Sequence, residues 1–190
     1  MSAPAPALAP DLEEALRRLK LARIRALAPE VLQTAKTQRW APEELLRTLV
    51  EAEIAARDAA NQTARLKAAG FPVTKTLDDF QLGRATIPPA TFHYLASLEW
   101  LRAAENLCLI GPPGTGKSHT LIALGHAAVL AGHRVRYFVA TDLVEALYRG
   151  LADNSVGRVI DGMLRAQLII IDDLGFAPLD ATGAQLLFRC

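Results

Sequence analysis

Residues 11–28 carry apolar side chains at helical spacing: Leu12, Leu16, Leu19, Ala22 and Ala26 share one face. Arg17, Arg18 and Arg25 point away from it. Asp11 stands at a capping position, with Glu13 and Glu14 in the first turn, and Pro29 is expected to end the helix. A short helix is expected to fill residues 30–39. Pro42 opens a second clear helix at its first position, followed by Glu43 and Glu44. Its stripe is Leu45, Leu46, Leu49, Ala52 and Ala56, and helix continues or restarts over 61–69 until Gly70 stops it. The pattern therefore predicts a small all-helical unit over residues 11–70, behind a Pro/Ala-rich tail over 1–10 that reads as disordered.

Beyond an irregular join at 71–84, the period changes. Pro88 and Pro89 start a helix expected to reach about residue 104 with Leu95, Leu98 and Leu101 inward. Residues 106–110 read as a short buried strand, 118–130 as an apolar helix ending at Gly132, and 134–139 as a second strand. Helices are expected at 142–149 and 154–165. The branched run Leu168-Ile169-Ile170-Ile171 suits a strand buried on both faces of a parallel sheet. Thr182 and Gln185 have the spacing of a capping box for a last helix. Strands alternating with helices over 71–190 predict an α/β domain.

The loop between the strand at 106–110 and the helix after it decides the chemistry. Gly111-Pro112-Pro113-Gly114-Thr115-Gly116-Lys117-Ser118 fits the phosphate-cradling pattern of Gly, four residues, Gly-Lys-Ser/Thr. Glycines allow positive φ and bring main-chain N–H groups close to a phosphate chain, and the positive end of the helix completes an anion nest. Lys117 is placed to bridge the β- and γ-phosphates of ATP, Ser118 to give its hydroxyl to Mg²⁺, and the His119 N–H to face the α-phosphate. The His119 imidazole itself reads as packed. Asp172 and Asp173 end the second apolar strand, where open α/β sheets bind ligands. Asp172 is expected to hold Mg²⁺ through water, and Asp173 to polarise an attacking water as general base.

Composition adds limits. The chain has 190 residues, 51% of them hydrophobic, and a net charge of +1. That supports one sizeable core and no global field for nucleic acid, so any basic patch must be local. Arg17, Arg18, Lys20, Arg23 and Arg25 form such a patch, a candidate contact for a phosphate backbone or a plain solvated face. Two cysteines, Cys108 and Cys190, make no disulfide framework and suggest a reduced, cytoplasmic setting. No apolar stretch reaches the length of a membrane span.

The helical module, the join Phe71-Pro-Val-Thr-Lys-Thr-Leu-Asp-Asp-Phe80, the phosphate loop and the segment Ile170-Ile-Asp-Asp-Leu-Gly-Phe-Ala-Pro-Leu179 together resemble the IstB-like ATP-binding proteins, helper ATPases of bacterial insertion sequences. These are similar to DnaC-type helicase loaders within the AAA+ class. The resemblance implies a P-loop AAA+ domain over 71–190, ATP with Mg²⁺, assembly as a homo-oligomer on DNA and presentation of a target site to a transposase. It makes Gly111 to Ser118 the Walker-A residues and Asp172 and Asp173 the Walker-B pair, sets Phe80 near the adenine, and favours Arg17, Arg18 and Arg25 as DNA contacts. A helicase loader acting in replication is the alternative. The family pattern also includes a further sheet strand with a polar sensor, between the phosphate-loop strand and the Walker-B strand, and an arginine finger. Neither is found before Cys190, so the chain reads as C-terminally truncated, with weakened nucleotide binding and poor or absent hydrolysis expected.

Overall fold

In the computed structural model, residues 6–80, 87–177 and 180–188 are described. The first five residues of the expected tail, the end of the join at 81–84, Pro178, Leu179 and Cys190 lie outside them. The chain divides into two compact units, Met1–Asn61 and Gln62–Cys190.

The first unit is helical. Helix α1 spans Pro10–Arg18, α2 spans Ala22–Gln38, and α3 runs from Pro42 to Ala69, so that its last two turns belong to the second unit. The expected break at Pro29 is absent: α2 passes through that residue, and the chain breaks instead at Leu19–Leu21. Lys20 adopts φ 57°. Its N–H donates to the Arg17 carbonyl, and the Leu21 N–H to that of Leu16, which closes α1 with the paired bonds of a left-handed helix stop. The reason for the break lies thirty residues away. Glu53 of α3 accepts the N–H groups of Arg23 and Ile24 at 2.8 and 3.0 Å, capping the start of α2. Arg57, one turn on, binds Glu53 at 3.0 Å and donates to the Lys20 carbonyl at 2.9 Å.

The second unit is built around two parallel strands, β1 (Val135–Val139) and β2 (Leu168–Asp172), paired from Val135↔Leu168 to Val139↔Asp172. Helices α7 (Ala140–Ala152) and α8 (Val156–Leu164) make the crossover between them, and α9 spans Ala181–Phe188. Strand alternation separates two cores. Val135, Tyr137, Leu168 and Ile170 face the cluster of Leu95, Trp100, Leu124 and Val129, contributed by α4 (Pro89–Ala96), α5 (Glu99–Arg102) and α6 (Lys117–Leu130). Phe138, Ile169 and Ile171 face Leu143, Leu147, Ile160, Met163 and Leu186. Helix α6 sits close because residue 125 is glycine: a Cβ there would stand 2.6 Å from Ile170 Cδ1 and 2.8 Å from Phe71 Cε1.

Three local expectations change. The helix expected from Pro88 to about 104 is interrupted at Leu98, whose φ of 58° costs about 1–2 kcal/mol in a residue with a Cβ. The break buries Leu98 and Trp100 in the first core, and the indole N–H finds the Leu95 carbonyl at 2.9 Å. Residues 106–110 form no ladder, so the expected strand ahead of the phosphate loop is not one. An open cleft of about 140 Å³ separates Asn106 and Leu107 from β2, with Leu121 and Leu124 of α6 also lining it. A strand is defined by its pairing, and among the described residues β2 pairs with β1 alone. Finally, α9 is capped by Asp180, whose carboxylate accepts the Gly183 N–H at 2.7 Å, rather than from Thr182. Among the described residues no helix is long and apolar enough to cross a membrane.

Candidate functional site

Gly111 to Ser118 form an exposed to half-buried turn that leads into the first turn of α6. Gly114 and Gly116 take φ 79° and 86°, a conformation in which side chains are strained. Around Gly114 the space is open, so backbone angle alone demands glycine there. At Gly116 the ring of Phe80 also stands 3.5 Å from where a Cβ would be. Thr115 Oγ1 donates to the Pro112 carbonyl at 2.9 Å and tightens the turn. Lys117 Nζ donates to the same carbonyl at 2.7 Å, so the ammonium folds back over the loop. Buried Thr120 ties α6 to the loop: its N–H and hydroxyl both donate to the Gly116 carbonyl, at 2.8 and 2.9 Å.

The join supplies an aromatic wall. Thr76 and Asp79 exchange hydrogen bonds, with the Thr76 hydroxyl donating to Asp79 Oδ2 at 2.6 Å, and that bond holds the carboxyl below its ordinary range. The turn delivers Phe80 beside the loop. One face of Phe80 stacks on Phe92 at 5.1 Å, and its ring meets His119 edge-on at 5.4 Å. Phe80 therefore stands beside the loop, with Phe92 covering one of its two faces. The Nε2 atom of His119 is buried with no hydrogen-bond partner among the described residues.

Asp172 ends β2 and is 6% exposed. Alternation puts it on the sheet face packed by α6, with Ile170 and Tyr137. Both its oxygens are engaged: Oδ2 accepts the Tyr137 hydroxyl at 2.9 Å, and Oδ1 accepts the Asp173 N–H, also at 2.9 Å. The second bond depends on Asp173 standing at φ 57°, which aspartate tolerates better than most residues. The Asp173 side chain is exposed at the start of the 3₁₀ turn Leu174–Phe176. Burial, and then the bond to Asp172, push the Tyr137 hydroxyl well above the ordinary phenol range, so it stays a donor. Sequence pattern alone does not single out Tyr137. A partial signal is present: alternation along 135–139 sets Tyr137 opposite in facing to Arg136 and Phe138, on the side of Asp172.

Arg17, Arg18 and Arg25 belong to the first unit. Arg17 and Arg18 lie in the last turn of α1, and Arg25 in the first turn of α2. Arg17 is ion-paired with Glu14 and both side chains are exposed; Arg18 is exposed and Arg25 half-buried.

Residues 14–190 match the family model of IstB-like ATP binding proteins. A Pseudomonas aeruginosa protein named for ATP binding in insertion sequence IS21 is 33% identical over 94% of this chain and 68% of its own length. An insertion-sequence protein of Mycobacterium tuberculosis, also named for ATP binding, is 34% identical over 95% of the chain and 72% of its own length. An IS21-like counterpart from Bacteroides fragilis is 30% identical over 94% of the chain and 90% of its own length. With a Gly-Lys-Ser loop at the head of α6 and acids at the end of β2, this chain belongs to the IstB-like ATP binding protein family.

Proposed function

We propose that this chain is an ATP-binding helper of DNA transposition, of the AAA+ class, which binds DNA and recruits or regulates a transposase according to nucleotide state. The observation that carries this reading is the loop from Gly111 to Ser118, with left-handed glycines and a lysine whose ammonium rests on a main-chain oxygen. A triphosphate would take that ammonium from the Pro112 carbonyl, and the loop N–H groups and the positive end of α6 would meet the phosphate oxygens. Pro112 and Pro113 restrict the loop backbone, which lowers the ordering cost of binding.

The residues fit Mg²⁺. Ser118 and Asp172 offer hard oxygens, and Mg²⁺ keeps several waters and phosphate oxygens, so two protein groups suffice. Asp172 is also buried with only neutral partners, and no lysine, arginine or histidine pairs with it among the described residues. A bound cation would neutralise that charge. The ion would supply charge compensation for the phosphates. Asp173, exposed next to Asp172 in the chain, would orient the attacking water.

The names of the relatives favour transposition over replication. DNA contact is assigned to the basic corner of α1 and α2, with Arg18 and Arg25 the principal cations and Arg17 shared with Glu14. A self-assembling homo-oligomer follows from the same reading.

The test is equilibrium binding of labelled ATP with Mg²⁺, followed by gel shifts of duplex DNA with ATP, ADP and no nucleotide. Retention of label that Lys117→Ala abolishes is expected; no retention by the parent chain overturns the reading. Arg18→Glu with Arg25→Glu should weaken DNA binding and reduce its salt slope by roughly 0.9 for each phosphate no longer neutralised. Unchanged binding removes this corner from the DNA surface.

A further inference from the structure

The buried carboxylate at the end of β2 has a dedicated partner on the neighbouring strand. We infer that Tyr137 is a positioning residue for Asp172: its hydroxyl fixes the carboxylate for the divalent cation that accompanies the nucleotide. The inference rests on the reading of Asp172 as the cation-binding acid.

The geometry is specific. Tyr137 pairs with Ile170 in the parallel register, so Asp172 is its diagonal neighbour on the same face, two residues further along β2. A tyrosine reaches across that diagonal, and its hydroxyl lands 2.9 Å from Oδ2. The other oxygen is held by the Asp173 N–H at the same distance. With both oxygens bonded, the carboxylate cannot rotate, yet each retains a lone pair for a cation or its waters. The ring is itself held. Phe71 meets it edge-on, with centroids 6.0 Å apart, and Phe71 in turn lies against the bare backbone of Gly125 in α6. A run of packed groups thus links α6, the helix that opens at the Gly111–Ser118 loop, to the acid at the end of β2.

A phenylalanine at 137 would fill the same space and pack equally well on Phe71. It would lose one hydrogen bond to a carboxylate, of the kind that orients metal-binding acids. Loss of such outer partners typically costs 10–100-fold in metal affinity.

The experiment compares the parent chain, Tyr137→Phe and Asp172→Asn. Fluorescent ATP is titrated with Mg²⁺, fluorescent ADP is bound in EDTA, and thermal melting is recorded for each protein. For Tyr137→Phe the Mg²⁺ concentration at half-saturation should rise about tenfold. ADP binding in EDTA should stay at the parent value, with the melting temperature lowered only as far as the loss of one hydrogen bond to the buried carboxylate requires. A Mg²⁺ midpoint that Asp172→Asn moves and Tyr137→Phe leaves in place overturns the inference while sparing the role of Asp172. A parallel loss in the Mg²⁺ and EDTA arms shows that the hydroxyl only supports packing and also overturns it. If Asp172→Asn leaves the midpoint in place, the reading of Asp172 fails and the role of Tyr137 fails with it.

Discussion

The two units of this chain reach a fixed shape by different means. In the first, the buried side chains among the described residues are Ala28, Ala35 and Glu53, while Leu12, Leu19, Leu32, Leu46, Val50 and Ile54 are all at least 39% exposed. Its α1–α2 corner is set by a carboxylate and a guanidinium binding main-chain groups. In the second, two apolar clusters sandwich a two-stranded sheet, with Leu124, Leu143, Leu147 and Val129 all but sealed from water. Capping can define a corner, but transfer of apolar surface supplies most of the stability of a fold. The site with the stricter geometry, the Gly111–Ser118 loop, sits on the unit with the packed core.

The largest effect should come from opening that core. Leu143→Ala is expected to cost about 2–5 kcal/mol in urea unfolding of the second unit. Leu46→Ala, in the first unit and 64% exposed, should stay within about 0.5 kcal/mol. Similar losses at both positions would erase the contrast. Next comes overpacking: Gly125→Ala puts a methyl 2.6 Å from Ile170 Cδ1 and should cost about 1–3 kcal/mol, with nucleotide binding weakened as α6 is pushed from the sheet. A neutral outcome would mean that the helix and the sheet are free to part.

The smallest effect sharpens the other side. The N–H groups of Ile24 and Arg23, together with Arg57, hold the Glu53 carboxyl below its ordinary value of 4.5, against burial, which raises it. The folded group therefore ionises more readily than the unfolded one. Its contribution is complete above the unfolded value and fades as pH falls through the lower folded value. Acid titration followed by circular dichroism should show helix lost from the first unit below about pH 4.5, and Glu53→Gln should remove that step and lower the melting temperature by a few degrees. A step that survives the substitution would assign it to another acid.

Much of the second unit is legible in the chain. The glycines of the loop announce their own backbone, since left-handed angles restrict the residue choice, and the run ending in Asp172 declares a strand through its branched side chains, though Leu168, Ile169 and Ile171 are only half-buried. Helix α6 and both strands of the sheet fall where the pattern sets them. Local pattern does not convey features whose partners are distant in sequence. The break at Lys20 is stabilised from Glu53, whereas Pro29 is the obvious local breaker and lies inside a helix. Leu98 turns left-handed to reach a core assembled from remote segments. Residues 106–110 have the composition of a strand, yet strand is a property of pairing, and a cleft stands where their neighbour would be. Tyr137 is one more aromatic on a β-rich segment until the register sets it diagonal to Asp172.

The resting place of the Lys117 ammonium has a practical corollary for protein engineering. Its acceptor is peptide oxygen, which every amino acid carries, so no exchange at position 112 deletes it. Screening variants for a more readily opened pocket would have to act on the cation, or on the twist that aims the peptide oxygen, and not on the chemical identity of the residue that owns it.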